Sequence, residues 1–184
     1  MPLIYWETGV RWAGGLLTAV TLGSLFYGIW RGLQRPAGAT AGRFPGWLRS
    51  PVFYFAAAGA FFGICGWLWR PIPWPAAGRA AALIVGSLLF FPGLGLVAWG
   101  RLVLGRMYFV STGLGAQVFA DHVLIRRGPY ARVRHPMYAG IALAAVGAVL
   151  LYQTWTAAAL LLLPVGLLRR AAREEQVLAA AFGE

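Results

Sequence analysis

Lysine is absent from this 184-residue chain, acidic residues number only five, and cysteine occurs once. Each shortage excludes something. The lone Cys65 leaves no disulfide within the chain. Two histidines and one cysteine cannot assemble a zinc or transition-metal ligand set of the usual kind. Charged residues make up 11% of the chain and apolar ones 60%, whereas a soluble domain carries about 25% charged residues. So little polar surface cannot cover so much apolar surface. A soluble enzyme, a disordered tail and a disulfide scaffold are thereby excluded. No cleavable signal peptide is expected, because Glu7 and Arg11 occupy the start and no small-residue cleavage site follows the first apolar run.

What is present is a series of apolar runs: Trp12 to Trp30, Val52 to Trp69, Ala80 to about Gly100, Pro136 to Tyr152, and Trp155 to Leu168. At about 20 residues per crossing, five spans fit the length, although the last two are short. Trp and Tyr mark several ends, as rings do at headgroup level. Pro and Gly cluster between runs, at 35–38 and 71–75, and read as turns. The expectation is an all-α polytopic membrane protein of about five transmembrane helices, ending in a C-terminal helical hairpin preceded by a polar loop. It forms a single membrane domain over 1–184, with three N-terminal spans in 1–100 and the loop, hairpin and final helix in 101–184.

All sixteen basic residues are arginine, for a net charge of +11. They sit between apolar runs rather than in a patch with polar neighbours, which argues for membrane orientation and against a nucleic-acid partner. Assigned to alternate sides, Arg11, Arg70 and Arg79 fall on one side and the other thirteen on the opposite one. By the positive-inside rule the N-terminus is outside, and the C-terminus and the polar loop are cytoplasmic. The Arg-only, Ala- and Gly-rich composition points to a GC-rich prokaryotic genome, hence to a cytoplasmic (inner) membrane.

The polar stretch 120–140 contains Gly128-Pro129-Tyr130 and then Arg134-His135-Pro136-Met137-Tyr138-Ala139-Gly140. Pro136 suits the first turn of a helix, where its missing N–H costs nothing. His135 and Tyr138, three apart, share a face, and orphan N–H groups at such a start can bind an anion. A second polar cluster, Arg169-Arg170-Ala171-Ala172-Arg173-Glu174-Glu175, continues the fifth run without a breaker. Arg170 and Glu174 are four apart and face one way. Charges this close to a bilayer survive when paired or functional. At 1.5 Å per residue, His135 to Tyr152 rises about 26 Å and Trp155 back to Glu174 about 29 Å. A tight hairpin therefore brings His135, Tyr138, Arg170 and Glu174 to one level.

Gly128 to Tyr130, Arg134 to Gly140, Glu174 to Leu178 and Phe182-Gly183, in this order and spacing, resemble the integral-membrane methyltransferases of the isoprenylcysteine carboxyl methyltransferase and phospholipid methyltransferase type. The likeness covers about the last third of the chain. It implies S-adenosyl-L-methionine as methyl donor, with S-adenosyl-L-homocysteine as product, and a lipophilic acceptor reached from the bilayer. Carried over residue by residue, Gly128, Pro129, Tyr130, His135, Pro136, Tyr138, Gly140, Glu174 and Glu175 would bind the donor. Arg170 and Glu174 would be catalytic, and Arg170 and Arg173 would hold an acceptor carboxylate. The resemblance also implies a Tyr-containing tail beyond Phe182-Gly183, where this sequence stops at Glu184. A carboxylate acceptor of the isoprenylcysteine type is favoured. The alternatives are a phosphatidylethanolamine N-methyltransferase, a sterol-reductase-like enzyme binding NADPH, and a non-enzymatic membrane subunit.

Other residues read more plainly. Asp121 and His122 suit a loop cap, and Arg126, Arg127 and Arg132 suit headgroup and orientation charges. Gly93-Leu94-Gly95 suits close helix packing better than donor binding, and Gly59 and Gly63 suit packing alone. Cys65 is inert filler.

Overall fold

A computed structural model describes residues 2–34, 50–108 and 123–182. Six α-helices are present among them: α1 (Pro2–Leu33), α2 (Pro51–Trp67), α3 (Ala76–Leu104), α4 (Pro136–Tyr152), α5 (Trp155–Ala159) and α6 (Leu163–Phe182). No strand forms among the described residues. Three stretches are long and apolar enough to cross a membrane: Tyr5–Arg31, Ala77–Met107 and Trp155–Gln176; α2 and α4 are shorter apolar helices. The chain is an all-helical, polytopic integral membrane protein. Asp121, His122, Arg35, Arg43, Arg49, Gly183 and Glu184 lie outside the described residues.

α1, α3 and α6 extend past the apolar runs that mark them, because Arg and Glu at helix ends still favour helical backbone once an apolar stretch has nucleated it. The fifth run has a local defect. Pro164 has no N–H to give the carbonyl of Leu160, and 3₁₀ geometry at Leu160–Leu162 joins α5 to α6. The helical path nevertheless continues into the Arg/Glu cluster.

The centre of the fold is the antiparallel pair α3 and α4. Glycines spaced by seven line both faces of the seam: Gly86, Gly93 and Gly100 on α3, Gly140 and Gly147 on α4. A Cβ at Gly93 would lie 2.6 Å from the Ala144 amide nitrogen, one at Gly140 would lie 2.7 Å from the Gly93 carbonyl oxygen, and one at Gly147 would strike the Phe90 backbone. Backbone meets backbone here, which is how helices associate where lipid is as apolar as the side chains. Leu83, Phe90, Ala144, Ala148, Leu151 and Ala157 form the core at one end of this pair, and Val97, Tyr108 and Met137 at the other.

The turn after α4 is tightly specified. Gln153 closes α4 in a left-handed conformation (φ 53°) and is buried. Thr154 caps α5 by accepting the Ala157 amide proton. The segment after α2 hydrogen-bonds this turn through Ile72 N–H to Gln153 O, Trp155 N–H to Arg70 O and Thr156 N–H to Leu68 O. At the same end Glu7 of α1, 5% exposed, receives Arg11 at 2.6 Å and Arg79 of α3 at 2.7 Å. Arg11 Nε donates to the Leu151 carbonyl and Tyr152 donates to the Arg11 carbonyl. α1 and α3 therefore start at the end where α4 finishes, as alternating crossings require.

Candidate active site

The hairpin of α4 with α5 and α6 returns the chain to the level from which α4 set out. His135 is the residue before α4, in non-helical backbone (φ −124°, ψ 61°), and Pro136 opens the helix fully buried. The amides of Tyr138 and Ala139 both turn back to the His135 carbonyl. The Ala139 bond is the ordinary first hydrogen bond of the helix, and of the donors that a helix start leaves without an intrahelical partner Tyr138 N–H is used.

Across the gap, Glu174 of α6 gathers three groups. Tyr138 donates its hydroxyl to Glu174 Oε1 at 2.7 Å, and Arg170 Nε donates to the same oxygen at 3.1 Å. His135 Nδ1 lies 3.8 Å from the other oxygen, Oε2. His135 Nε2 is 3.2 Å from Glu175 Oε1, so the imidazole stands between the two carboxylates. Its ring stacks flat on Tyr138, centroids 5.2 Å apart and planes 2° from parallel. Arg134, 82% exposed, approaches Glu175 at 3.9 Å. Residues forty apart in sequence thus form one cluster of two acids, a histidine, a tyrosine and two arginines.

The Gly-Pro-Tyr motif forms a 3₁₀ turn, Gly128–Ala131, against the end of α3. Gly128 has φ +59°, where a side chain is strained, and a Cβ there would lie 2.9 Å from Val103. Pro129 is buried, and the Tyr130 hydroxyl sits 3.3 Å from where a Cβ on Gly100 would be. Burial, and then the Glu174 carboxylate, push the Tyr130 phenol well above its ordinary range, so it stays a neutral donor at physiological pH. Gly140 lies away from this cluster, in the α3–α4 seam. Gly93 lies in the same seam, whereas Gly95 has open space around it. Arg173 is exposed on α6.

Sequence alone treats Arg101 as an orientation charge and assigns Tyr108 no role. Arg101, near the end of α3, places its guanidinium 4.4 Å over the ring of Tyr108 and donates to the Gly105 carbonyl at 3.0 Å. Tyr108 is buried beside Met137, with Leu25 and Ile29 of α1 packed on the group. Burial raises the Tyr108 phenol beyond its ordinary range, partly opposed by the positive charges of Arg101 and Arg170. Arg101 Nε and Arg170 Nη2 are buried and find no acceptor among the described residues. An isolated Arg in a helix end gives no periodic signal, so only the fold could place Arg101 here. No group of three His, Cys, Asp or Glu side chains that could hold a metal converges among the described residues.

Residues 81–184 match the family model described as phospholipid methyltransferase. That span begins inside α3 and takes in the glycine seam, the Gly-Pro-Tyr turn, the hairpin and both glutamates. No curated protein and no solved structure matches the chain.

Proposed function

The chain belongs to the phospholipid methyltransferase family, and on that premise we propose that it methylates a lipophilic acceptor, with S-adenosylmethionine as donor, between the start of α4 and the middle of α6. The observation that carries this reading is the linked set Tyr138, Glu174 and Arg170 with His135. The residues suit such a donor. Glu174 Oε2 and Glu175 offer acceptors for an amine and for ribose hydroxyls. His135, Tyr138 and the neutral Tyr130 offer polar contacts on the other side, with Gly128 and Pro129 shaping the wall. When bound, the donor supplies an electrophilic methyl on a sulfonium: the C–S bond breaks with its electron pair left on sulfur, giving S-adenosylhomocysteine, and a bond forms from methyl carbon to acceptor.

The chain's own part is positioning and exclusion of water, which an in-line displacement requires. Arg170, fixed by Glu174, aims its remaining N–H groups to hold an acceptor carboxylate of the isoprenylcysteine type; Arg173 is the second candidate. A carboxylate is already nucleophilic and needs no base. The family description favours a second acceptor, a phospholipid amine, for which Glu174 would take the proton released on methylation. The length of α4 is compatible with a site at the edge of the bilayer. The 17 residues of α4 rise about 26 Å, against a hydrocarbon core of about 30 Å. A lipid headgroup and a water-soluble donor can meet at that depth. We place this end, and the C-terminus, on the cytoplasmic side and the N-terminus outside. The Arg count supports that orientation, with three arginines on the N-terminal side and thirteen on the other.

Calorimetry on purified protein tests the reading. S-adenosylhomocysteine binds in the micromolar range, and binding is lost in His135→Ala and in Glu174→Ala. No binding by well-folded protein overturns it. Label transferred from methyl-tritiated donor into membrane lipid separates the acceptors: a methyl ester releases volatile methanol in mild base, whereas an N-methyl group does not.

A further inference from the structure

Among the described residues, two buried guanidinium N–H groups lack an acceptor, Arg101 Nε and Arg170 Nη2. A buried cationic donor left unpaired is costly, and native proteins rarely keep one without a purpose. Both belong to the same neighbourhood although they come from different helices. Arg101 lies over the Tyr108 ring. Tyr108 packs beside Met137, next in sequence to Tyr138, which bonds the carboxylate that Arg170 also bonds. Arg170 has Glu174 as counter-charge, whereas no carboxylate among the described residues pairs with Arg101.

The cluster also has two sides. His135, Glu175 and Arg134 form its wet side, with Glu175 46% exposed. Arg101 and Tyr108 form its apolar side. A Cβ on Gly28 of α1 would lie 2.6 Å from Arg101 Nη2, and Leu25 and Ile29 cover Tyr108. Acceptor oxygens for a cationic, water-borne donor thus lie on one side, and spare cationic donors lie on the side built of membrane-spanning helices.

We propose that Arg101, with Arg170, forms an oxyanion seat on the bilayer side of the site, which holds the anionic headgroup oxygens of the lipid acceptor and selects acceptors carrying a carboxylate or phosphate. The proposal rests on the methyl-transfer reading above and extends it to a residue outside the motifs. The guanidinium fork suits either group, since both present paired oxygens. Arg101 is a specificity-determining residue here, and the Gly28 backbone is what lets it lie flat between α1 and Tyr108.

The test uses full-length protein in detergent and three probes of equal chain length: decyl phosphate, decanoate and decanol. Decyl phosphate and decanoate bind by calorimetry and raise the melting temperature, with or without saturating S-adenosylhomocysteine, and decanol does neither. Arg101→Gln weakens both anionic probes about tenfold, as loss of a charge-assisted hydrogen bond does, and leaves S-adenosylhomocysteine affinity within about twofold. Arg101→Lys, which keeps the charge but not the fork, recovers only part of the loss and guards against a folding defect in the first variant. Equal binding of decanol overturns the seat. So does competition between decyl phosphate and S-adenosylhomocysteine, or weaker S-adenosylhomocysteine binding in Arg101→Gln, since the seat would then belong to the donor's own carboxylate. Arg101-dependent binding of decyl phosphate in protein that binds no S-adenosylhomocysteine would sink the methyl-transfer reading and leave the seat standing.

Discussion

Tyr138 and Glu174 are joined by a 2.7 Å hydrogen bond that spans 36 residues of sequence and ties the first turn of α4 to the middle of α6. The bond lands on Oε1, the oxygen that Arg170 also holds, which leaves Oε2 turned toward His135. Tyr138→Phe removes one donor and keeps the ring that stacks on His135. A hydrogen bond to a charged group contributes about 1.5–3 kcal/mol. The variant therefore melts several degrees lower in detergent, and with Glu174 held less firmly it also binds S-adenosylhomocysteine more weakly by calorimetry. An unchanged affinity would mean that Glu174 orientation does not matter to the donor.

The glycine seam separates packing from binding at Gly93-Leu94-Gly95. A methyl on Gly93 meets the Ala144 backbone at 2.6 Å, whereas one on Gly95 meets nothing within 4 Å. Gly93→Ala has to push α3 off α4, and overpacking of this kind costs about 1–3 kcal/mol. Its melting temperature in detergent drops by several degrees, and Gly95→Ala melts like the parent. If Gly95→Ala instead loses S-adenosylhomocysteine affinity at unchanged stability, that side of α3 faces the donor.

Apolar run length exposed every long helix, since crossing a bilayer imposes it. Pro136 and the i, i+4 pair Arg170 and Glu174 exposed the hairpin level, because helical rise is fixed at 1.5 Å per residue. The 3₁₀ break before Pro164 follows from local geometry that spacing does not report. Arg11, Arg79 and Arg101 looked alike as loop charges. Arg79 reaches Glu7 only because α1 packs against α3, whereas Arg11 and Glu7 are an i, i+4 pair within α1 and Arg101 lies over Tyr108 at the end of its own helix.

Among the described residues Glu7 is the one acid at the far end of the bundle, and its burial makes it structural. Glu7→Gln leaves Arg11 and Arg79 facing each other without a counter-charge. Breaking a buried pair from one side costs about 3–5 kcal/mol, reduced here because Arg79 is half exposed. The variant melts clearly lower in detergent, and the protein that remains folded binds S-adenosylhomocysteine with parental affinity. A loss of affinity without loss of stability would mean that the two ends of the bundle communicate.

Tyr130 sets an alkaline limit. Its phenol is raised in the folded chain from an ordinary value of 10.0, first by burial and then by Glu174. A folded-state value above the unfolded one means that the native protein binds this proton more tightly. The contribution to stability is complete below about pH 10 and is lost as pH rises from there toward the folded value. Melting temperatures followed upward from neutral pH therefore stay flat with respect to this group and then fall above pH 10. In Tyr130→Phe the part of that fall due to the phenol disappears, and the phenolate absorbance that grows on unfolding in strong alkali is smaller by one tyrosine. A Tyr130 phenolate that forms near pH 10 in folded protein would show that the Gly128–Ala131 turn does not press this ring against α3 and Glu174.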